Sequence, residues 1–425
     1  MLAILNSYFF FLFLTTLVVS NNLVLFFISW VGLNISLYGI LLKSFNSYNK
    51  EMTLKYFISG SLVTIFLLVA ILLYFMDFFT FNYVSVSYLY FNNNSLTNTS
   101  ELIAISTIQK IYYSIIIAAF LFKLGAFPFH FYLVDMYQTL NTKETMFMYT
   151  VALKISIFFT LLKFLSSFWF LNIMISDLLI CSGFGSIFVS SFGILKQYKL
   201  SKFWAYSYLN SIGYVLVSLS SGVGGNFGEI SFYSAKVYFF TYMLVWLGIL
   251  DIISRVSFKI KNKVFKKLYY VSDLSFLSNS SMVKKPTFFE NVDYFKNNTS
   301  LYFSILIISL LGLPPTLGFF SKSIVYFDLI SNIQTVPTYI VILALTPFVS
   351  YAYLKIIIYV LFTKVNNKLS KLNNNLIAVY LEESSIYVLS YENISKFLII
   401  SPICFFIFEN INCFGLESLK YLFIK

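Results

Sequence analysis

The chain has 425 residues, of which 59% are hydrophobic and only 11% are charged, and its formal net charge is +12. A soluble domain of this size could not hide so much apolar surface, because folding leaves a large share of any chain exposed to water. The composition excludes an ordinary soluble enzyme, and a transmembrane β-barrel is disfavoured because barrel strands alternate over about ten residues, whereas these apolar runs are unbroken.

Apolar runs long enough to cross a membrane, which takes about 20 residues, recur from end to end. We therefore predict an all-α, polytopic membrane protein. Its eleven predicted spans lie near residues 3–20, 23–43, 54–78, 103–131, 145–166, 168–195, 203–221, 229–256, 299–331, 336–363 and 392–414. The fourth and ninth are interrupted by glycine and proline. Residues 1–256 thus carry the first eight helices, and residues 299–425 carry the last three.

The loops on the two sides of these spans differ in charge. One set, near 21–22, 79–102, 167, 222–228 and 332–335, holds no Lys or Arg, and the basic residues collect in the other set. Basic loops mark the side on which the chain is made, so we predict that the N-terminus lies on that side, which is the matrix side for a chain made in a mitochondrion. These loops also explain the net charge, and we expect no nucleic-acid partner.

Residue usage favours a mitochondrial origin, since 51 Phe, 33 Tyr and a single Arg are typical of an AT-rich organellar genome. Two polar segments remain. Segment 257–298 is predicted to be a basic matrix loop, either a flexible connection or a docking surface for neighbouring subunits. Segment 365–391 carries Glu382 and Glu383 within an apolar pattern, which predicts an amphipathic segment on the membrane surface.

Charged side chains inside spans are costly and need a reason. Lys123 ends the apolar run YYSIIIAAFLFK and is followed by Gly125 and Pro128. Proline removes a backbone donor and clashes with the preceding turn, so we expect the helix to break here. A broken helix at membrane depth is tolerated where it lines a wet or protein-buried cavity. This places Lys123 and His130 at a hydrated interruption.

Lys154 lies well inside its own span, and Lys322 follows a second break at Pro314 and Pro315. Two interruptions in comparable places of the two halves point to an internal repeat with an ion path at each break. A lysine removed from water can switch between charged and neutral forms as a nearby charge comes and goes. Lys123, Lys154 and Lys322 are therefore candidate proton-path residues.

Each candidate also has a plainer interpretation. The lysines could be partnered or snorkelling side chains without a role, and His130 could be a hydrogen-bonded residue at a helix end. Four further charged residues in spans are expected to have interface or packing roles: Lys236, Asp251, Asp177 and Asp328. The cysteines are expected to be buried and unreactive, with no disulfide framework or metal site: Cys181, Cys404 and Cys413.

Five segments resemble, in order, segments of the subunit 2 family of respiratory complex I and its bacterial counterpart. They are WVGLNISLYGILL at 30–42, LKYFISGS at 54–61, KLGAFPFHFYLVDMYQ at 123–138, KLSKFWAYSYLNSIGY at 199–214 and LGLPPTLGFFSK at 311–322. The third is similar to the family's KLGxxPFHFWVPDVYxG, the fourth to LRKxxAYSSIAHMGY and the fifth to GxPPLxGFxxK. The resemblance covers residues 20 to 360.

This resemblance implies an antiporter-like helix bundle in the membrane arm of complex I, with two proline-broken helices. By motif it assigns the proton path to Lys123, Lys154 and Lys322, with His130 as a further candidate. It implies a non-redox subunit without a cofactor of its own, while partner subunits bind NADH, FMN, iron–sulfur clusters and ubiquinone. The expected partners are other membrane-arm subunits and the lipid of the mitochondrial inner membrane.

The chain departs from the family pattern at two positions. The family's span-centre Glu, which pairs with the first lysine, falls on Asn34, and the His of AYSSIAH falls on Ser211. The chain also begins where bacterial relatives have already passed several spans, so we expect those helices to be lost or supplied by a separate polypeptide. Three interpretations remain: a proton-translocating complex I subunit, the same subunit with an impaired channel, and a stand-alone cation/proton antiporter.

Overall fold

The structure is a computed structural model that describes residues 2–42, 47–83, 107–140, 143–167, 172–224, 228–260, 264–267, 290–332, 335–361 and 377–381. The chain divides into two compact units. The first comprises Met1–Phe239 and Val325–Val349, and the second comprises Phe240–Ile324 and Ser350–Lys425. Helices dominate the described residues, which confirms the predicted helical membrane class.

Thirteen α-helices lie within the described ranges. They are α1 (Leu2–Val19), α2 (Leu23–Leu41), α3 (Ser47–Phe78), α4 (Thr107–Leu124), α5 (Phe131–Thr139), α6 (Lys143–Phe147), α7 (Leu153–Ser167), α8 (Asn172–Leu195), α9 (Leu200–Gly224), α10 (Gly228–Arg255), α11 (Glu290–Leu311), α12 (Leu317–Ser331) and α13 (Val336–Leu361). A π-helical turn, Met148–Ala152, joins α6 to α7.

The helices coincide with ten of the eleven predicted spans, and the eleventh, 392–414, lies outside the described residues. By length and composition, six helices in the described part of the chain are long and apolar enough to cross a membrane. Shorter apolar helices cover Leu5–Val19 and Ser300–Leu311. The chain is therefore a multi-pass membrane protein.

A small antiparallel sheet was not predicted. Its strands are β1 (Val256–Ile260), β2 (Val264–Lys267) and β3 (Ile377–Leu381), in the order β2-β1-β3. Strands β1 and β2 begin the segment interpreted as a basic loop, and β3 lies within segment 365–391. Prediction missed the sheet because β1 pairs with a strand distant in sequence, and five residues are too few to show an alternating pattern. The predicted docking and membrane-surface roles remain predictions.

Helices α8 and α9 approach each other backbone to backbone. A Cβ atom at Gly213 would lie 2.9 Å from the carbonyl oxygen of Gly183, and one at Gly183 would lie 3.0 Å from the Gly213 carbonyl oxygen. Lipid chains are as apolar as leucine, so membrane helices associate through such close packing of small residues. Ser186 and Ser190 are buried on α8, and their hydroxyls donate hydrogen bonds to carbonyls of their own helix. This packing holds α9 firmly in the first unit.

Cys181 is exposed on α8, so the prediction that it is buried is wrong. The apolar neighbours that suggested burial are equally compatible with a helix surface facing lipid, because a small apolar side chain is as stable in hydrocarbon as in a protein core. The other two cysteines lie outside the described residues.

Both predicted helix breaks are confirmed, and they share one geometry. Helix α4 ends before Gly125, whose φ is +77°, and α11 ends before Gly312, whose φ is +78°. Glycine occupies this left-handed region without the steric cost of a Cβ. A proline follows each glycine in a cis peptide bond, Pro128 in the first break and Pro315 in the second.

The amides after each helix end fold back onto the last turn. At the first break, the Gly125 and Ala126 amides donate to the Leu121 carbonyl over 2.9 and 3.0 Å. At the second break, the Gly312 and Leu313 amides donate to the Ile308 carbonyl over 3.1 and 3.4 Å. This arrangement is a Schellman-type end, which satisfies carbonyls that a helix terminus would otherwise leave unpaired. The carbonyls of the very last residues stay available to other donors.

Gly125→Ala is expected to lower the free energy of unfolding by about 1–2 kcal/mol, because an L-residue in the left-handed region costs about that much. The new Cβ would also press on Leu133, whose Cβ lies 3.2 Å from its position. Thermal unfolding of the detergent-solubilised protein measures the change. Gly248→Ala in α10 is the control, since its Cβ would meet only the flexible end of Leu306 at 3.1 Å. Equal losses in the two variants would contradict the argument.

Candidate functional site

Lys123 lies in the last turn of α4 with 1% of its surface exposed. Its Nζ donates a hydrogen bond to Oδ1 of Asn34 on α2 and lies 3.3 Å from the hydroxyl oxygen of Tyr56 on α3. Asn34 is itself buried, with 4% exposed. The residue that stands where the family has its span-centre Glu is therefore the hydrogen-bond partner of the first lysine, which supports the alignment on which that correspondence rests.

Aromatic rings complete the surroundings of Lys123. Its Nζ lies 5.4 Å from the ring centroid of Trp30 and 5.7 Å from that of Tyr56. Cation–π contacts of this kind contribute about 2 kcal/mol when the cation is removed from water. Within the described ranges, no carboxylate lies within ion-pair distance of Lys123. An amide oxygen, the Tyr56 hydroxyl and two rings thus replace the water around this ammonium, without a counter-charge among the residues that the structure describes.

Lys154 lies at the start of α7 and is completely buried. Its Nζ donates to the backbone carbonyls of Lys123 over 2.5 Å and of Leu124 over 3.1 Å. These are the last two residues of α4, where carbonyls have no partner within the helix and carry the partial negative charge of its dipole. The second lysine therefore caps the helix that ends with the first lysine.

Two tyrosine rings flank Lys154. Its Nζ lies 5.2 Å from the ring centroid of Tyr149 and 5.3 Å from that of Tyr208. Tyr149 belongs to the π-helical turn that precedes α7, and Tyr208 comes from α9. π-Helical turns within α-helices are rare and occur frequently at functional sites. Helices α2, α3, α4, α7 and α9 thus all contribute to one buried cluster around the two lysines.

Lys322 repeats the arrangement of Lys154 at the second break. It lies on α12, is partly buried, and its Nζ donates to the carbonyls of Leu310 over 2.9 Å and of Leu311 over 2.8 Å. These are the last two residues of α11. A Cβ at Gly312 would lie 2.7 Å from the Lys322 Cδ, so the absence of a side chain there leaves room for the lysine. Each break therefore has a lysine ammonium on the terminal carbonyls of the preceding helix.

His130 is buried but stands apart from the lysines. Its ring centroid lies 5.9 Å from that of Phe127 and 4.1 Å from that of Phe131, and its side chain does not cap α5. No hydrogen bond among the described residues joins it to Lys123 or Lys154. Its assignment to the proton path therefore stays a prediction, because the described contacts do not link His130 directly to either lysine.

The remaining polar candidates fall into two groups. Asp177 and Lys236 are exposed, while Asp251 and Asp328 are buried. Ser211, at the position of the family's His, donates its hydroxyl proton to the Tyr208 carbonyl of its own helix over 2.7 Å. Among the described residues, no group of three His, Cys, Asp or Glu side chains could hold a metal ion.

The residues that surround the lysines carry no local sequence signal that singles them out. Trp30, Tyr56 and Tyr208 lie inside segments already quoted for their family resemblance, and Tyr149 lies five residues before Lys154. A Tyr or Trp within a span could have indicated a nearby polar group, since such a residue usually needs a polar partner when it is buried. With 33 Tyr in the chain, that signal could not select these four.

Comparison with known proteins identifies the family of this arrangement. The model of the family described as NADH:quinone oxidoreductase/Mrp antiporter, transmembrane, matches residues 20–347. The NADH-quinone oxidoreductase subunit N of Wolbachia sp. subsp. Brugia malayi (strain TRS) is 27% identical over 328 residues, which are 75% of this chain and 60% of that protein. The chain thus spans about 60% of the length of this curated relative.

Solved structures resemble the chain in fold alone, at 16% sequence identity. A chain of respiratory complex I from Thermus thermophilus with bound aureothin matches with a TM-score of 0.65, covering 95% of this chain and 76% of that one. A chain of the Mrp complex from Dietzia sp. DQ12-45-1b matches with a TM-score of 0.64, covering 84% and 60%. The protein belongs to the NADH:quinone oxidoreductase/Mrp antiporter transmembrane family.

Proposed function

We propose that the chain is a membrane-arm subunit of respiratory complex I, of the subunit N or subunit 2 type, and takes part in proton translocation coupled to electron transfer from NADH to ubiquinone. Relatives that carry the name NADH-quinone oxidoreductase subunit N support this assignment. The observation that carries it is the position of Lys154, whose ammonium lies on the terminal carbonyls of α4, beside the backbone of Lys123.

The chemistry follows from two opposing effects on the Lys154 ammonium. Burial away from water disfavours the charged form, whereas the partial negative charge of the α4 carbonyl end favours it. A group held between such effects changes protonation state when a modest charge moves nearby. Lys123, whose backbone carbonyl accepts from Lys154, is the neighbour whose charge would bias it. A proton on one lysine repels a proton on the other and so promotes stepwise transfer.

Lys322 would act in the same way at the second break, because its Nζ also donates to the last two carbonyls of the preceding helix. In this proposal the three lysines link two half-channels that open to opposite sides of the membrane. No redox group is needed for these steps, since each is a proton transfer between nitrogen and oxygen or nitrogen atoms.

We propose that the chain itself holds no cofactor and that partner subunits bind NADH, FMN, the iron–sulfur clusters and ubiquinone. The proposed location is the mitochondrial inner membrane, with the N-terminus in the matrix and other membrane-arm subunits as neighbours. A separate polypeptide that supplies further N-terminal helices stays a prediction.

Two alternatives each have an observation in their favour. Lys123 pairs with Asn34 where the family has Glu, which favours a structural complex I subunit with an impaired channel. The description of the matching family, which includes the Mrp antiporter, favours a stand-alone cation/proton antiporter.

Extraction in a mild detergent distinguishes the antiporter from the complex I subunit. We expect the chain to migrate with a very large respiratory assembly that oxidises NADH and reduces a quinone. Migration as a small homo-oligomer without NADH oxidation would favour the antiporter. Reconstitution of the assembly into vesicles, with an internal pH dye, then reports whether NADH oxidation moves protons.

A further inference from the structure

Asp328 lies on α12 with 3% of its surface exposed, which is unusual for a carboxyl group in a membrane helix. Its Oδ2 lies 2.7 Å from the hydroxyl oxygen of Ser221 on α9 and 3.0 Å from that of Ser234 on α10. Its Oδ1 is buried and has no hydrogen-bond partner among the described residues. No described Lys, Arg or His forms an ion pair with it. Two serine hydroxyls are therefore its polar surroundings.

Each of the two hydroxyls also faces a carbonyl of its own helix. The Ser221 oxygen lies 2.7 Å from the Ser218 carbonyl oxygen, and the Ser234 oxygen lies 2.8 Å from the Ser231 carbonyl oxygen. A hydroxyl has one proton and two acceptor lone pairs, so it cannot donate to the carbonyl and to Asp328 at once. Each hydroxyl proton must point one way or the other.

This geometry serves both protonation states of Asp328. When the carboxyl is ionised, both hydroxyls donate to Oδ2. When Oδ2 carries a proton, it donates to one hydroxyl, which turns its own proton to the carbonyl behind it. The change needs only rotation about a C–O bond, and no heavy atom has to move. Both forms are therefore hydrogen-bonded in the same packed site.

A purely structural role fits these contacts poorly. A buried charge is costly unless it is paired or well hydrogen-bonded, and Oδ1 of Asp328 has no hydrogen-bond partner in the part of the chain that the structure describes. The titratable residues within two positions of the three contacting side chains are Tyr233 and Lys236, which are exposed, and Tyr326, whose hydroxyl lies 3.4 Å from that of Tyr214. No fixed counter-charge among them therefore holds Asp328 in one state.

We infer that Asp328 is a proton-binding residue, with Ser221 and Ser234 as the hydroxyl groups that accept and redirect its proton. An excess proton from water forms one O–H bond at Oδ2, and one serine hydroxyl turns away from Oδ2 to its helix carbonyl. No bond between heavy atoms changes and no electron is transferred. The inference rests on the proposed function for its role in translocation, but the protonation of Asp328 can be observed by itself.

Infrared difference spectroscopy of the assembled complex, recorded between low and high pH, tests the site directly. We expect a band from the C=O stretch of a protonated, buried carboxyl group, and we expect Asp328→Asn to remove it. Asp177→Asn is the matched control because Asp177 is exposed, and it should leave the band in place. An unchanged band in Asp328→Asn would overturn the inference.

Ser221→Ala provides a second test that keeps the carboxyl group and so remains informative if Asp328→Asn fails to assemble. Loss of one hydroxyl partner should shift the carboxyl band, whereas an unshifted band would also overturn the inference. Proton translocation is measured in parallel. Asp328→Asn should reduce proton translocation per NADH, and Asp328→Glu should restore part of it. If Lys154 and Lys322 variants leave translocation unchanged while the band depends on Asp328, the proposed function fails and the proton site stands.

Discussion

Lys154→Met is expected to abolish the proton transfer carried by this chain while leaving the assembly intact. Methionine nearly matches the length of lysine and packs without a cavity, but it can neither hold a proton nor donate to the α4 carbonyls. A positioned acid or base contributes about 10²-fold or more to a proton transfer. We therefore expect the translocation step through this chain to slow by at least about that factor, measured as the initial rate of dye-detected proton uptake by vesicles that are oxidising NADH.

Two further variants separate proton transfer from helix capping. Lys154→Gln keeps N–H donors near the carbonyls of Lys123 and Leu124 but cannot change its charge, so it should be as defective as methionine. Lys196→Met replaces an exposed lysine and should have no effect. Recovery of translocation by glutamine would mean that Lys154 serves only to hold the helix end, and the proton-path role would be lost.

Asn34→Glu is expected to increase the number of protons moved per NADH. The wild-type amide offers Lys123 the same uncharged acceptor at every stage of a cycle. A carboxylate about 4 Å from an ammonium interacts with it by about 4 kcal/mol at an intermediate dielectric. Since about 1.4 kcal/mol is a tenfold change in an equilibrium constant, movement of that carboxylate would shift the protonation equilibrium of Lys123 by nearly three orders of magnitude.

Asn34→Gln is the matched control, because it adds the same bulk to the buried site without a charge. Any destabilisation from overpacking, which is about 1–3 kcal/mol for an added methylene, should be the same in both variants. Equal translocation in the glutamate, glutamine and wild-type proteins would show that an amide at this position is sufficient. It would also remove the main argument for an impaired channel.

The helix breaks and their lysines could be predicted because their signals are local. Gly125 with Pro128, and Gly312 with Pro315, are close neighbours in sequence, and their backbone consequences follow from sterics. The Asn34 partnership was accessible only through the family resemblance.

The contacts between distant helices could not be predicted in the same way. Tyr208 reaches Lys154 from another helix. The sequence of a single span does not show which of its turns faces which neighbouring helix. The expected packing role for Asp328 rested on its charge alone, because its two serine partners lie about a hundred residues earlier. The pairing of β1 with β3 escaped prediction for the same reason, since pairing between remote segments leaves no local pattern.

The hydrogen bonds from a lysine ammonium to the last two carbonyls of each broken helix have a mechanical consequence. An ammonium donates charge-assisted hydrogen bonds to the two carbonyls, and such bonds are roughly twice as strong as those of an uncharged donor. Under the proposed function, loss of the proton from Lys154 or Lys322 would weaken the hydrogen bonds to the last carbonyls of the preceding helix, and its return would strengthen them. Each proton that such a lysine binds or releases would therefore change the force on the backbone at the break, so that the proposed proton transfer would also be a mechanical input to the broken helix.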